Sequence, residues 1–152
     1  GFTISVLITK KSNIGWTDYI GMDFDDNNFI VLENNGNNGS VTLFSEITGS
    51  GGPSITPPKP NYPVWVTLTC DDVTGGTMRL YYNRVLKGSE TFTQDFSAKT
   101  LPLSIANAPN RTAFDPRRID GVIGDVRFWH RALSAAEIRG VVDFAMIRPR
   151  GL

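Results

Sequence analysis

Four side chains with chemical capability crowd one short stretch. In GVIGDVRFWHRALSAAEI, Gly121 to Ile138, the residues Asp125, Arg127, Trp129 and His130 stand at or near alternate positions. His130 is the only histidine of the chain. A histidine near a carboxylate is raw material for general base catalysis, but it needs a nucleophile within hydrogen-bond reach. No local Ser-His or Cys-His arrangement suggests one. In an extended strand, Asp125, Arg127 and Trp129 share one face, while Val126, Phe128 and His130 share the other. Asp125 and Arg127 then lie about 7 Å apart, close enough to pair with each other or across to a neighbouring strand. The stretch reads as a structural seam: an ion pair, an aromatic packed on the helix that follows, and a strand-end histidine.

Carboxylates gather again in DFDDNN, Asp23 to Asn28. On a regular strand Asp23 and Asp25 share a face roughly 6–7 Å apart, a separation that suits paired acids in glycoside hydrolysis. An E-x-D-x-x-E strand is one arrangement that supplies such a pair. None of the four glutamates here, Glu33, Glu46, Glu90 and Glu137, forms that motif. DFDDNN also begins like a calcium loop. Asn28 stands where an EF-hand needs glycine and Asn34 where it needs a bidentate glutamate, which excludes that motif. A looser calcium site at Asp23, Asp25 and Asn27 with backbone carbonyls stays open beside the simpler reading of a solvated hairpin turn. Asp71-Asp72 reads as a turn in the same way.

Aromatic rings are the third candidate, because flat amphipathic rings suit both the apolar faces of sugars and protein interfaces. Trp65 alternates within a strand and reads as core, and Trp129 as a packing residue. Trp16 sits in a polar connection between Asn13 and Asp18, which offer hydrogen bonds. These three are the expected ligand-binding residues, with Tyr62, at the exit of a proline-rich segment, as a fourth. A Trp16 folded onto the rim of the fold is the alternative.

The elements that must position these groups are legible from the pattern. The 152 residues suffice for one domain, expected over residues 1–148 with a tail at 149–152. FTISVLIT, Phe2 to Thr9, alternates as a strand. Tyr19–Phe24 and Phe29–Glu33 read as a hairpin, Val41–Ile47 as its continuation, and TGSGGPSITPPKPNYP, Thr48 to Pro63, as one long irregular loop or flap. VWVTLT, MRLYYN, a short strand from Val85, LPLSIA and GVIGDVRFWH complete about nine strands. One helix closes the chain. Ser134 and Glu137 form an S-x-x-E capping box, Leu133 and Ile138 a hydrophobic staple, and Ile138, Val141, Val142 and Ala145 one buried stripe. Gly140 weakens it by about 1 kcal/mol relative to alanine, so packing must hold it.

Composition narrows the partners. Fifteen basic residues balance 15 acidic ones, so no net field attracts nucleic acid, and no apolar run is long enough for membrane insertion as a helix. The single cysteine, Cys70, allows no disulfide framework and reads as a small buried residue. Asn38-Gly39-Ser40 and Asn110-Arg111-Thr112 are glycosylation sequons that matter only in a eukaryotic secretory protein. The chain opens at Gly1 in a strand pattern, which reads as a piece of a longer protein.

Three blocks carry a family resemblance. FTISVLIT resembles the opening strand of laminin-G-like, concanavalin-A-type jelly rolls. VWVTLTCDDVTGGTMRLYYNRVLKGS is similar to their central hairpin, and GVIGDVRFWHRALSAAEI to their closing strand and capped helix. The family's preceding strand, often bearing F-D-G, has no counterpart here. Gly124 replaces an acidic residue, and Trp129-His130 a tyrosine-asparagine pair. The resemblance implies an all-β, two-sheet antiparallel jelly-roll sandwich with one C-terminal capping helix. It implies a concave sheet that often binds sugars, sometimes with calcium, and elsewhere binds proteins; no ligand residue transfers by number.

The expected function is therefore a non-catalytic recognition module for a glycan or protein ligand, with a lectin-like or adhesive role at an extracellular, cell or virion surface. The alternative is a structural domain of a larger particle or fibre, joined to an oligomer or assembly through an open sheet edge. A glycoside hydrolase ranks last.

Overall fold

The computed structural model describes residues 1–12, 17–25, 28–34, 41–45, 50–55, 58–95, 97–98, 103–105 and 120–147. In chain order these form β1 (Phe2–Lys10), β2 (Thr17–Asp25), β3 (Asn28–Asn34), β4 (Val41–Ser45), β5 (Ser50–Ile55), β6 (Pro63–Cys70), β7 (Thr77–Tyr82), β8 (Val85–Thr91), β9 (Leu103–Ile105), β10 (Gly121–Trp129) and α1 (Ala135–Ile147). Two five-stranded sheets result, ordered β10-β1-β6-β7-β8 and β5-β4-β3-β2-β9. Every pairing is antiparallel. This is the jelly-roll sandwich with one C-terminal helix that the strand pattern anticipates.

The period-two apolar residues meet between the sheets. Phe2, Ile4, Val6 and Ile8 of β1 join Val64, Val66, Leu68 and Cys70 of β6 and Met78 and Leu80 of β7. Tyr19, Ile20, Met22, Leu32, Val41 and Ile55 approach from the other sheet. Each fully buried aliphatic side chain contributes about 1.5–3 kcal/mol relative to an exposed one. Burial also pushes the Cys70 thiol up to about 11, so it stays protonated as a core residue.

The second face of β1 is buried over its first half too, although Thr3 and Ser5 there are polar. Thr3 and Ser5 are buried, as are Thr67 and Thr69 beside them on β6. Ser5 and Thr67 sit opposite each other and share a hydroxyl–hydroxyl hydrogen bond of 2.7 Å. Alternation in the sequence marks only the apolar face; cover on the other face comes from distant residues.

One expectation fails in the segment from Thr48 to Pro63. Its glycines and prolines suggest an unbroken irregular loop, yet Ser50–Ile55 is a strand, paired with β4 at the border of its sheet. An edge strand needs a ladder on one side only, so Pro53 costs it no interior hydrogen bond. Ile55 enters the core. Across the sandwich, Pro53 lies against Gly88 of β8, where an added Cβ would come within 2.5 Å of the proline Cβ. The missing side chain at Gly88 lets the two sheets close along this side.

On the other side, among the described residues, β10 pairs with β1 alone and β9 with β2 alone. Leu103 and Ile105 of β9, and Val122 and Phe128 of β10, are exposed.

Gly88→Val tests the closure. Valine favours strands, so any loss must come from the collision with Pro53. We expect about 1–3 kcal/mol of destabilisation in urea unfolding; an unchanged midpoint would show that β5 does not press on β8.

Candidate functional site

The junction after β10 is a seam in atomic detail. Arg127 donates to Asp125 Oδ2 from Nε at 3.0 Å and from Nη2 at 2.8 Å. Its guanidinium also lies 5.1 Å from the ring centroid of Trp65, which is buried under it on the outer face of the sheet rather than between the sheets. Trp129 packs with Tyr81, Leu133, Ile138 and Val141, so the helix stripe and staple cover this outer face. His130 is exposed and meets the edge of the Phe128 ring at 5.0 Å, and Phe128 in turn stacks on Phe2.

Thr3 ties the seam to the centre of the sheet. Its hydroxyl donates to the Arg131 carbonyl and accepts from the Leu133 N–H, both at 2.8 Å. The capping box then starts α1. Glu137 N–H donates to Ser134 Oγ at 3.3 Å, and Ser134 N–H donates to Glu137 Oε2 at 2.8 Å. Arg131 donates to the other carboxylate oxygen at 2.7 Å. The Arg131 guanidinium, followed by the Ser134 N–H and hydroxyl, holds the Glu137 carboxyl down at about 2.

The Asp71-Asp72 turn is likewise occupied by its own loop. Asp71 accepts from the Thr77 N–H at 2.5 Å and from Arg79 at 3.0 Å, and Asp72 accepts from the Thr74 N–H and hydroxyl. The Thr77 N–H, with Arg79 behind it, lowers the Asp71 carboxyl below its usual range, and the Thr74 N–H does the same for Asp72.

Of the expected ligand residues, Tyr62 is fully described. It precedes β6, is 61% exposed, and has the Lys59 ammonium 5.9 Å from its ring centroid. Asp18 lies on β2 opposite Glu33, and its side chain falls outside the description. Asn13 and Trp16 lie outside the described residues altogether. Among the calcium candidates, Asp23 and Asp25 lie on β2, with the strand register shifting between them; regular alternation therefore does not run through the pair. Their side chains, and all of Asn27, are outside the description. Among the described residues, no group of three or more His, Cys, Asp or Glu gathers where a metal would be held, and no helix is long and apolar enough to cross a membrane.

Sequence reasoning overlooked the cations around Tyr62. Lys87 places its ammonium 5.8 Å from the Tyr82 ring, a second lysine–tyrosine pair. The signal was present as K-P-N-Y and as Tyr82 five residues before Lys87, but only the hairpin turn brings the latter pair together.

A two-sheet jelly roll with a capped terminal helix is the architecture of the concanavalin-A-like sandwiches. The family model for the concanavalin A-like lectin/glucanase superfamily matches residues 1–139, and the chain belongs to that family. No curated protein matches it in sequence. Among solved structures it is similar to domain 4 of AbnA, a GH43 extracellular arabinanase from Geobacillus stearothermophilus in complex with arabinotriose. That match has a TM-score of 0.71 at 19% identity and covers 93% of this chain and 66% of that one. It is similar to the CBM40 of a Ruminococcus gnavus IT-sialidase bound to alpha2,3 sialyllactose, with a TM-score of 0.67, 15% identity, and coverage of 93% and 82%. It is also similar to part of a Trypanosoma rangeli sialidase in complex with sialic acid, with a TM-score of 0.74 and 14% identity. There it covers 99% of this chain but only 24% of the sialidase chain. At these identities the likeness is one of fold.

Thr3→Val keeps shape but strips both hydroxyl bonds, leaving a buried N–H unpaired; we expect a loss of about 1–3 kcal/mol by chemical denaturation. An unaffected midpoint would mean that water replaces the hydroxyl. For Glu137 the folded carboxyl lies below its ordinary value of 4.5, so its contribution is complete above pH 4.5 and fades as pH falls through about 2. A carboxyl NMR titration should show Glu137 titrating near 2, and Arg131→Ala should raise that midpoint.

Proposed function

We propose that this chain is a non-catalytic recognition module that binds carbohydrate at an extracellular or cell surface. The observation that carries the reading is an exposed tyrosine, Tyr62, on a fold whose structural neighbours include an arabinanase domain holding arabinotriose and a CBM40 holding sialyllactose. A tyrosine ring offers an apolar face to the C–H face of a sugar and a hydroxyl at its rim. A non-catalytic role is supported by the engagement of Asp71, Asp125 and Glu137 in structural pairs with arginines. Calcium held near Asp23, Asp25 and Asn27 belongs to the same proposal, as do contacts from Asn13, Trp16 and Asp18.

A second reading, an assembly domain of a larger particle or fibre, is favoured by the position of β9 and β10 at the sheet borders among the described residues. Exposed Leu103, Ile105, Val122 and Phe128 mark the strands where a neighbouring chain would add a strand.

A glycan array run with calcium and again with EDTA decides between them. Recognition predicts saturable binding that Tyr62→Ala weakens by about tenfold, the equivalent of one stacking contact. Loss in EDTA would establish the metal. Silence across the array in both conditions would overturn the carbohydrate reading.

A further inference from the structure

The described charges of the β10-β1-β6-β7-β8 sheet are unevenly placed, with one end rich in cations although the chain as a whole is neutral. Hydrogen bonds and register place the segments. Asn61 N–H donates to the Lys10 carbonyl, Pro63 lies opposite Thr9, and Tyr82 lies opposite Val66. The turn after Tyr82 is bonded to Trp65 both ways, through Asn83 N–H to its carbonyl and Trp65 N–H to Asn83 Oδ1. Residues 10–12, 59–63 and 82–85 therefore share one end of the sheet, whereas Lys87 lies further in, level with Thr67 and Leu68. That end displays Lys11, Lys59 and Arg84, all exposed, and its described acid, Asp120, accepts from the Ser12 hydroxyl. The opposite end carries Asp71, Asp72 and Asp95, and there Arg79 pairs with Asp71 and Arg131 with Glu137.

Rings are interleaved with the cations. Lys59 stands over Tyr62 and Lys87 over Tyr82, while Tyr62 keeps 61% of its surface open. The turns that present them are fixed, with Asn61 and Asn83 in the left-handed region at φ 61° and 55° and both backbone N–H groups bonded. An open ring with an ammonium group beside it, at an end rich in cations, matches a molecule with an apolar face and an attached anion. We infer that this end of the sandwich binds an acidic saccharide, with Tyr62 stacking on the sugar ring and Lys59, helped by Lys11, pairing with its carboxylate or sulfate. The inference rests on the carbohydrate reading and specifies the ligand class and the place.

The test compares oligosaccharides in matched sets that differ only in the acid group: neutral, sialylated or uronic, and sulfated. The intact domain is compared with a Lys11→Gln/Lys59→Gln double variant and with Tyr62→Ala, each checked for an unchanged unfolding midpoint. We expect acidic members to bind about tenfold or more tightly than neutral ones, and the advantage to shrink as NaCl rises from about 50 mM to about 500 mM. The double variant should lose that advantage, and the carboxylate and sulfate sets identify which anion is read. Equal binding of neutral and acidic sets, or acidic binding untouched by the lysine changes, overturns this inference and leaves carbohydrate recognition standing. No binding by any set removes both.

Discussion

β1 is the constraint on which the rest depends. It is held on both sides by β10 and β6, and from Phe2 to Val6 it is buried on both faces, apolar toward the other sheet and hydroxyl-bearing toward the outside. A polar side chain in that position is tolerable only when its hydrogen bonds are made. Ser5 finds Thr67 on the neighbouring strand. Thr3 finds the backbone of Arg131 and Leu133, about 130 residues away in sequence, at the entry to α1. The beginning and the end of the domain are thus welded at one hydroxyl, and the capping box sets the helix direction from that point.

The distribution of legible and illegible features follows the range of the interactions. The helix cap was readable because Ser134 and Glu137 satisfy each other within three residues. The Asp125–Arg127 pair was readable because both partners lie on one strand. β5 was not: a run with two glycines and a proline becomes a strand only because β4 supplies its ladder and Gly88 leaves room for Pro53. The burial of Trp65 was foreseen, but not its place under Arg127 on the outer face, which depends on how β10 and β6 both flank β1.

The candidate site divides in the same way. Tyr62 stood out in the sequence as an aromatic leaving a proline-rich segment, and it is exposed. Its cationic company did not stand out, because Lys11, Lys59 and Arg84 are separated by up to 73 positions and are gathered by strand pairing and by the Asn61–Lys10 backbone bond. A balanced total charge concealed an unevenly placed one. Composition is a sum, and a sum carries no positions.

That uneven placement has a consequence for how the molecule moves near a charged surface. A body without net charge feels little pull in a uniform field, but separated charges feel a torque. The described charges would therefore turn the domain before contact, so that its lysine-bearing end leads toward a negative surface. Rotational search shortens while translational capture stays that of a neutral particle. Such a domain arrives no sooner than an unpolarised one, but it arrives facing the right way.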